Sequence, residues 1–197
     1  MLVKTTPSAY SSVMKKGGVG GAKTAKSGSD FEDVLFARLA EDLIANGFNE
    51  IDVLRSGTTI RRVRYRHDQK GPLEVYFKAG VHKYFFEPRG VFTTELFSAR
   101  LEPDTAIYSE RTKTLTIIEK KQQNTTGSVA EKLQTCDYKM FYYKTLSKNL
   151  QIEVDLVWQL GPYFEKQQKG LKSVFEYMVS KGSRYFFGHI PFAELKI

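Results

Sequence analysis

The sequence predicts an α/β fold in which a mixed β-sheet is flanked by helices. Three observations carry that prediction. A helical apolar stripe comes first, short β-type runs follow it, and the C-terminal third alternates helix, strand, helix, strand. With 197 residues, 41% of them hydrophobic and 13% aromatic, the chain can form a single domain with a sizeable core.

Residues 1 to 28, rich in Gly, Ser, Thr, Lys and Ala, read as a flexible basic arm, and 29 to 197 as one domain. In "SGSDFEDVLFARLAEDLIANGFNE", Ser29 or Asp30 suits the N-cap of a helix. Phe31, Val34, Leu35, Leu39, Leu43 and Ile44 fall on its inward stripe, and Gly47 ends it. The runs "IDVLRS", "TTIRRVRYR", "LEVYFKA" and "HKYFFEP" then predict an inserted antiparallel β region over 51–95, with turns at "SGT", "DQKGP" and "EPRG". "DTAIYSERTKTLTIIEKK" reads as a hairpin turning at "SERTK". Residues 128–147 read as a helix with Val129, Leu133, Cys136, Met140 and Tyr143 inward. "LQIEVDLVWQLG" is apolar enough for a central strand. "QQKGLKSVFEYMVSKGS" reads as a helix, "RYFFGHI" as a strand and "PFAELKI" as a closing turn. The aromatic groups at 84–86 and 185–187 fit strand alternation, and Trp158 fits the core.

Charge narrows the partners. Thirty Lys and Arg face 22 Asp and Glu, for a net charge of +8, and the excess is clustered. Arg61, Arg62, Arg64 and Arg66 crowd one strand, where period-two geometry puts Arg62, Arg64 and Arg66 on one face. Lys23 and Lys26 belong to a stretch of the arm without acids. Both clusters point to a polyanion, nucleic acid, as partner. The single cysteine, Cys136, excludes a disulfide framework and a multi-Cys zinc site, and it suits the core. His67, His82 and His189 have no ligand spacing, which argues against a zinc centre. No run approaches the ~20 apolar residues of a bilayer span, and the N-terminus lacks a secretory h-region, so a cytoplasmic protein without membrane association is expected. No GxxxxGK[ST] phosphate loop occurs, which argues against an ATP-driven enzyme.

The chemistry gathers at "TLTIIEKKQQN". Glu119 and Lys121 lie two residues apart on a strand, so they share a face with Leu115 and Ile117, while Lys120 faces the other way. If the hairpin pairs about "SERTK", Asp104 comes close to opposite Glu119. Two adjacent, partly buried acids repel unless a cation sits between them. Oxygen donors favour a hard ion such as Mg²⁺, which polarises a phosphate and acidifies a bound water. Lys121 can orient that water or stabilise the developing charge. Gln123 shares the face if the strand persists, as a hydrogen-bonder or a plain exit residue.

"PD" at 103–104, fourteen intervening residues and "EKK" at 119–121 resemble the PD-(D/E)xK motif of the restriction-endonuclease-like nucleases. The resemblance covers about residues 28 to 197, is strongest at 101–138 and leaves 51–95 unmatched. It implies a restriction-endonuclease-like core, with Asp104 and Glu119 as metal-binding acids and Lys121 as catalytic lysine. Glu32, in the first turn of the first helix, resembles the acid that many of these nucleases add, although it also suits a helix N-terminus electrostatically. Gln134 and Tyr138 form QxxxY, similar to a phosphate-side motif of RecB-like exonucleases; a surface glutamine and a core tyrosine give the same letters. The function implied is a Mg²⁺-dependent, sequence-specific type II restriction endonuclease acting on double-stranded DNA, with Mn²⁺ able to substitute. Such an enzyme cuts both strands and is expected as a homodimer or with a partner subunit. The alternatives are a junction resolvase, a RecB-like exonuclease, a non-catalytic DNA-binding module and a basic structural α/β protein that binds no nucleic acid.

Overall fold

The computed structural model describes residues 37–123 and 129–197. A helix over 37–45 (α1) leads into three strands, Asn49–Ser56 (β1), Thr59–His67 (β2) and Gly71–Phe77 (β3). A π-helix at His82–Phe86, a 3₁₀ turn at Glu87–Arg89 and the short α2 (Thr93–Leu96) follow. Next come β4 (Thr105–Ser109) and β5 (Thr114–Lys121), then α3 (Val129–Leu133) and α4 (Cys136–Ser147). The chain closes with β6 (Glu153–Leu160), α5 (Pro162–Lys166), α6 (Lys172–Ser180), β7 (Ser183–Phe187) and a 3₁₀ turn at Phe192–Glu194.

The seven strands form one sheet whose spatial order is the chain order, β1 to β7. Neighbours from β1 to β5 are antiparallel, whereas β5–β6 and β6–β7 are parallel. The fold is therefore α/β with a mixed sheet flanked by helices. The antiparallel strands expected over 51–95 are the first three of this sheet, since β3 pairs directly with β4.

Alternation along the strands gives the sheet two buried faces. One carries Tyr76, Ala106, Leu115, Ile117, Leu156 and Trp158 and is covered by α4, α6 and the π-helix, with Tyr143 and Phe85 packed in. The other carries Val63, Val75, Ile107, Ile118 and Val157 and meets Leu43 of α1 and the C-terminal Ile190, Leu195 and Ile197. Gly47 ends α1 in the left-handed region (φ 85°), where a side chain would be strained. Its N–H donates to Ile44 O and that of Phe48 to Leu43 O, closing a Schellman cap with Phe48 and Leu43 in one core. Among the described residues no helix is long and apolar enough to cross a membrane.

Four expectations are corrected. "HKYFFEP" is helical, because Val81, His82, Phe85 and Phe86 are all buried on one side, a spacing that a strand cannot produce. The same helix removes the strand role expected for the aromatics at 84–86. Ile44 is 50% exposed; only Leu43 of that pair turns fully into the core. The helix expected over 128–147 is broken at 134–135, whereas the helix expected over 167–183 forms as the shorter α6, preceded by the separate and unexpected α5. The arm, Ser29, Asp30, Phe31, Val34 and Leu35 lie outside the described residues, as does the Val129 side chain.

Candidate active site

The β4–β5 ladder sets the site. Thr105 pairs with Ile118, so the next step of the register brings Asp104 beside Glu119 at the end of the sheet. There the ladder stops and a side chain continues it: the Lys120 N–H donates to Asp104 Oδ2 at 2.7 Å. Glu119, 2% exposed, stands on the same face as Leu115 and Ile117, beside Trp158 of β6. Lys120 turns to the opposite face and is buried beside a small cavity lined by Leu39, Ile118 and Gln159.

Three ammonium groups converge on the two carboxylates. Lys121 Nζ lies 3.4 Å from Glu119 Oε2, 3.6 Å from Asp104 Oδ2 and 3.0 Å from the carbonyl oxygen of Lys120. Lys78, just beyond β3 in the left-handed region (φ 48°), donates to Asp104 Oδ1 at 2.6 Å. Lys139 of α4 lies 2.6 Å from Glu119 Oε1, as an ion pair rather than an aligned hydrogen bond. The Trp158 ring lies beneath two of them, with Lys121 Nζ at 5.8 Å and Lys139 Nζ at 5.7 Å from its centroid. Burial pushes the Asp104 pKa up, but the Lys121 charge, the Lys78 ammonium and the Lys120 N–H together outweigh it and hold the carboxyl below its ordinary range.

A polar knot anchors the chain entering Asp104. The Leu101 N–H donates to Tyr142 Oη, and Leu101 O accepts from the Tyr143 hydroxyl at 2.8 Å. His82 Nε2 lies 2.8 Å from the same carbonyl, which requires the Nε2–H tautomer, and Nδ1 then accepts from Thr93 Oγ1 at 2.9 Å. Burial lowers the His82 pKa, so the ring is a neutral structural link.

The remaining candidates are scattered. Glu32, Lys23 and Lys26 lie outside the described residues. β5 ends at Lys121, so strand period does not carry Gln123 to the acid pair. Gln134 is exposed at the break between α3 and α4. Tyr138 is 51% exposed, with its ring 6.3 Å from that of the equally exposed Phe141, and so it is not the core tyrosine that the sequence allowed. Arg62, Arg64 and Arg66 share the sheet face of Tyr76, but Asp52 engages Arg62 at 3.0 Å and Arg64 at 3.1 Å. The Arg62 hydrogen bond is the main cause that holds the Asp52 pKa low. Arg61 faces the other way, its carbonyl against Gly80.

Sequence reasoning missed Lys78 and Lys139. For Lys139 a signal existed: it follows Cys136 by one helical turn and precedes Tyr143 by another, on the edge of the inward stripe. Lys78 gave none, because its position depends on the left-handed turn after β3.

No protein-family model, characterised protein or solved structure matches the chain.

Proposed function

We propose that the chain is a Mg²⁺-dependent endonuclease with a restriction-endonuclease-like core, hydrolysing phosphodiester bonds of double-stranded DNA in the manner of a type II restriction enzyme. One observation carries the reading: Asp104 and Glu119 meet at the ends of paired strands with Lys121 Nζ between them. Lys121 Nζ is ringed by oxygens of Asp104, Glu119 and the Lys120 carbonyl, so one positive charge already sits in an all-oxygen setting. That donor set fits a hard divalent ion, which Asp104, Glu119 and the Lys120 carbonyl would hold. When bound, such an ion polarises a phosphate oxygen and makes a water acidic enough to attack. Among the described residues no group of three or more His, Cys, Asp or Glu gathers, so the two acids and the carbonyl are the protein's whole described contribution.

Lys121 is the group placed to stabilise charge developing on a phosphate, or to orient the attacking water. Trp158 and Tyr143 close the floor beneath Glu119 and keep its carboxylate out of bulk water. Arg66, exposed on the strand that also carries the Asp52-paired arginines, is a direct candidate for backbone contact. Cutting both strands calls for a second copy or a partner subunit.

A second reading, a structure-selective nuclease, is favoured by the exposed rings of Tyr138 and Phe141 on the helix that supplies Lys139, since exposed aromatics stack on unpaired bases. The test is incubation with supercoiled plasmid and Mg²⁺. Discrete fragments support the duplex endonuclease, and cutting confined to branched or single-stranded DNA supports the second reading. Asp104→Ala, Glu119→Ala and Lys121→Ala should each lower cleavage at least about 100-fold while DNA binding persists. Full cleavage by any of the three overturns the assignment.

A further inference from the structure

Each oxygen of the acid pair faces a positive or polar donor of the chain itself. Asp104 Oδ1 faces Lys78; Oδ2 faces the Lys120 N–H and Lys121; Glu119 Oε1 faces Lys139; Oε2 faces Lys121. Two carboxylates thus carry three ammonium groups, one positive charge in excess. A divalent cation approaching them meets like charge, and each oxygen it takes must be released by a lysine. Lys78 and Lys139 belong to neither of the two strands that carry the acids: one comes from the turn after β3, the other from α4. Their side chains are 37% and 18% exposed, so each ammonium can leave its carboxylate and still face the site. A phosphodiester supplies the negative charge that the released lysines would need.

Building on the nuclease reading, we infer that Lys78 and Lys139 are positioning residues that couple the two ligands of the site. They hold Asp104 and Glu119 in the cation-free protein and turn to the substrate phosphate when a divalent cation takes the carboxylates. By linkage, DNA then tightens cation binding and the cation tightens DNA binding by one and the same factor. The cation and the phosphate enter as a pair, which keeps a nuclease poorly loaded in the absence of DNA.

Calorimetric titration of the full chain with Ca²⁺, another hard ion that takes oxygen ligands, tests this, with and without a short DNA duplex and with cleavage followed in parallel on a gel. Wild-type protein should bind Ca²⁺ weakly alone and at least about tenfold more tightly with the duplex. Lys139→Met and Lys78→Met should bind Ca²⁺ at least about tenfold more tightly than wild type without DNA, and gain less from the duplex. Lys139→Gln and Lys78→Gln repeat the comparison with polar replacements, and thermal unfolding verifies that each variant is folded. Should the variants fail to fold, the wild-type comparison with and without duplex still decides. Equal wild-type affinity in both conditions overturns the coupling, as does unchanged affinity in the folded lysine variants. If Glu119→Gln abolishes Ca²⁺ binding in either of those cases, the nuclease reading survives the loss of the coupling. Failure of every form to bind the ion, with or without DNA, overturns both.

Discussion

Replacing Asp104 by Asn keeps the shape of the side chain and removes its charge, and the sign of the stability change is diagnostic. In a bare pair of acids, removing one relieves repulsion and stabilises the fold. Here three ammonium groups surround two carboxylates, so removing a carboxylate leaves positive charge less compensated and should destabilise. The principal loss is the 2.6 Å contact from Lys78, with the charge attraction to Lys121 at 3.6 Å behind it. Hydrogen bonds to charged groups contribute about 1.5–3 kcal/mol. Lys78 and Lys121 are partly exposed and recover some hydration, which brings the loss to roughly 2 kcal/mol. For a chain of this size that is a fall in Tm of about 4–8 °C. The pH dependence follows from the lowered Asp104 pKa, which burial opposes and Lys121, Lys78 and the Lys120 N–H impose. A carboxyl depressed in the folded state stabilises above its unfolded pKa of about 3.9 and ceases to do so as pH falls through the lower folded value. The gap between wild type and D104N should be full at pH 7 and close at pH below about 4. Thermal and urea unfolding followed by circular dichroism measure both. A variant as stable as wild type at pH 7, or more stable, refutes the lysine-saturated site.

Two further substitutions probe the frame and the arginine row of β2. A Cβ at Gly80 would sit 2.2 Å from the Arg61 carbonyl oxygen, so Gly80→Ala must push the turn carrying Lys78 away from β2. The expected cost is roughly 1–3 kcal/mol, read as a lowered Tm, and an unchanged Tm would show that this turn yields freely. Asp52→Asn frees Arg62 and Arg64 from their shared counter-ion, and should strengthen duplex binding and steepen the plot of log affinity against log salt by about one unit of slope. An unchanged slope would mean that phosphates do not lie along β2.

How much of this was legible in the sequence depends on whether a feature follows from local period or from tertiary placement. The β4–β5 hairpin was legible: four turn residues between two alternating runs fix the register, and the register sets Asp104 against Glu119 and sends Lys120 to the other face. The succession of strands was legible too, although nothing local says that β1–β3 continue the same sheet; that follows from β3 pairing with β4. "HKYFFEP" misled through the β-propensity of its aromatics, while the helical spacing of Val81, Phe85 and Phe86 was there to be read. The arginine row was placed on the right strand and face, but its neutralisation depends on Asp52, opposite Arg64 across the β1–β2 register. The acid pair was therefore found by counting along one hairpin, and its three lysines were not. Only Lys121 shares that hairpin; Lys78 arrives by a backbone turn of unusual sign and Lys139 by the docking of α4 on β6. That division has a chemical consequence. The motif alone describes two negative charges and one positive, a site short of cations; the fold reverses the balance, and a divalent ion would have to compete for carboxylates that already have partners. Under the proposed nuclease function, catalysis thus turns on what draws Lys78 and Lys139 away, and a phosphate is the group whose charge can do so.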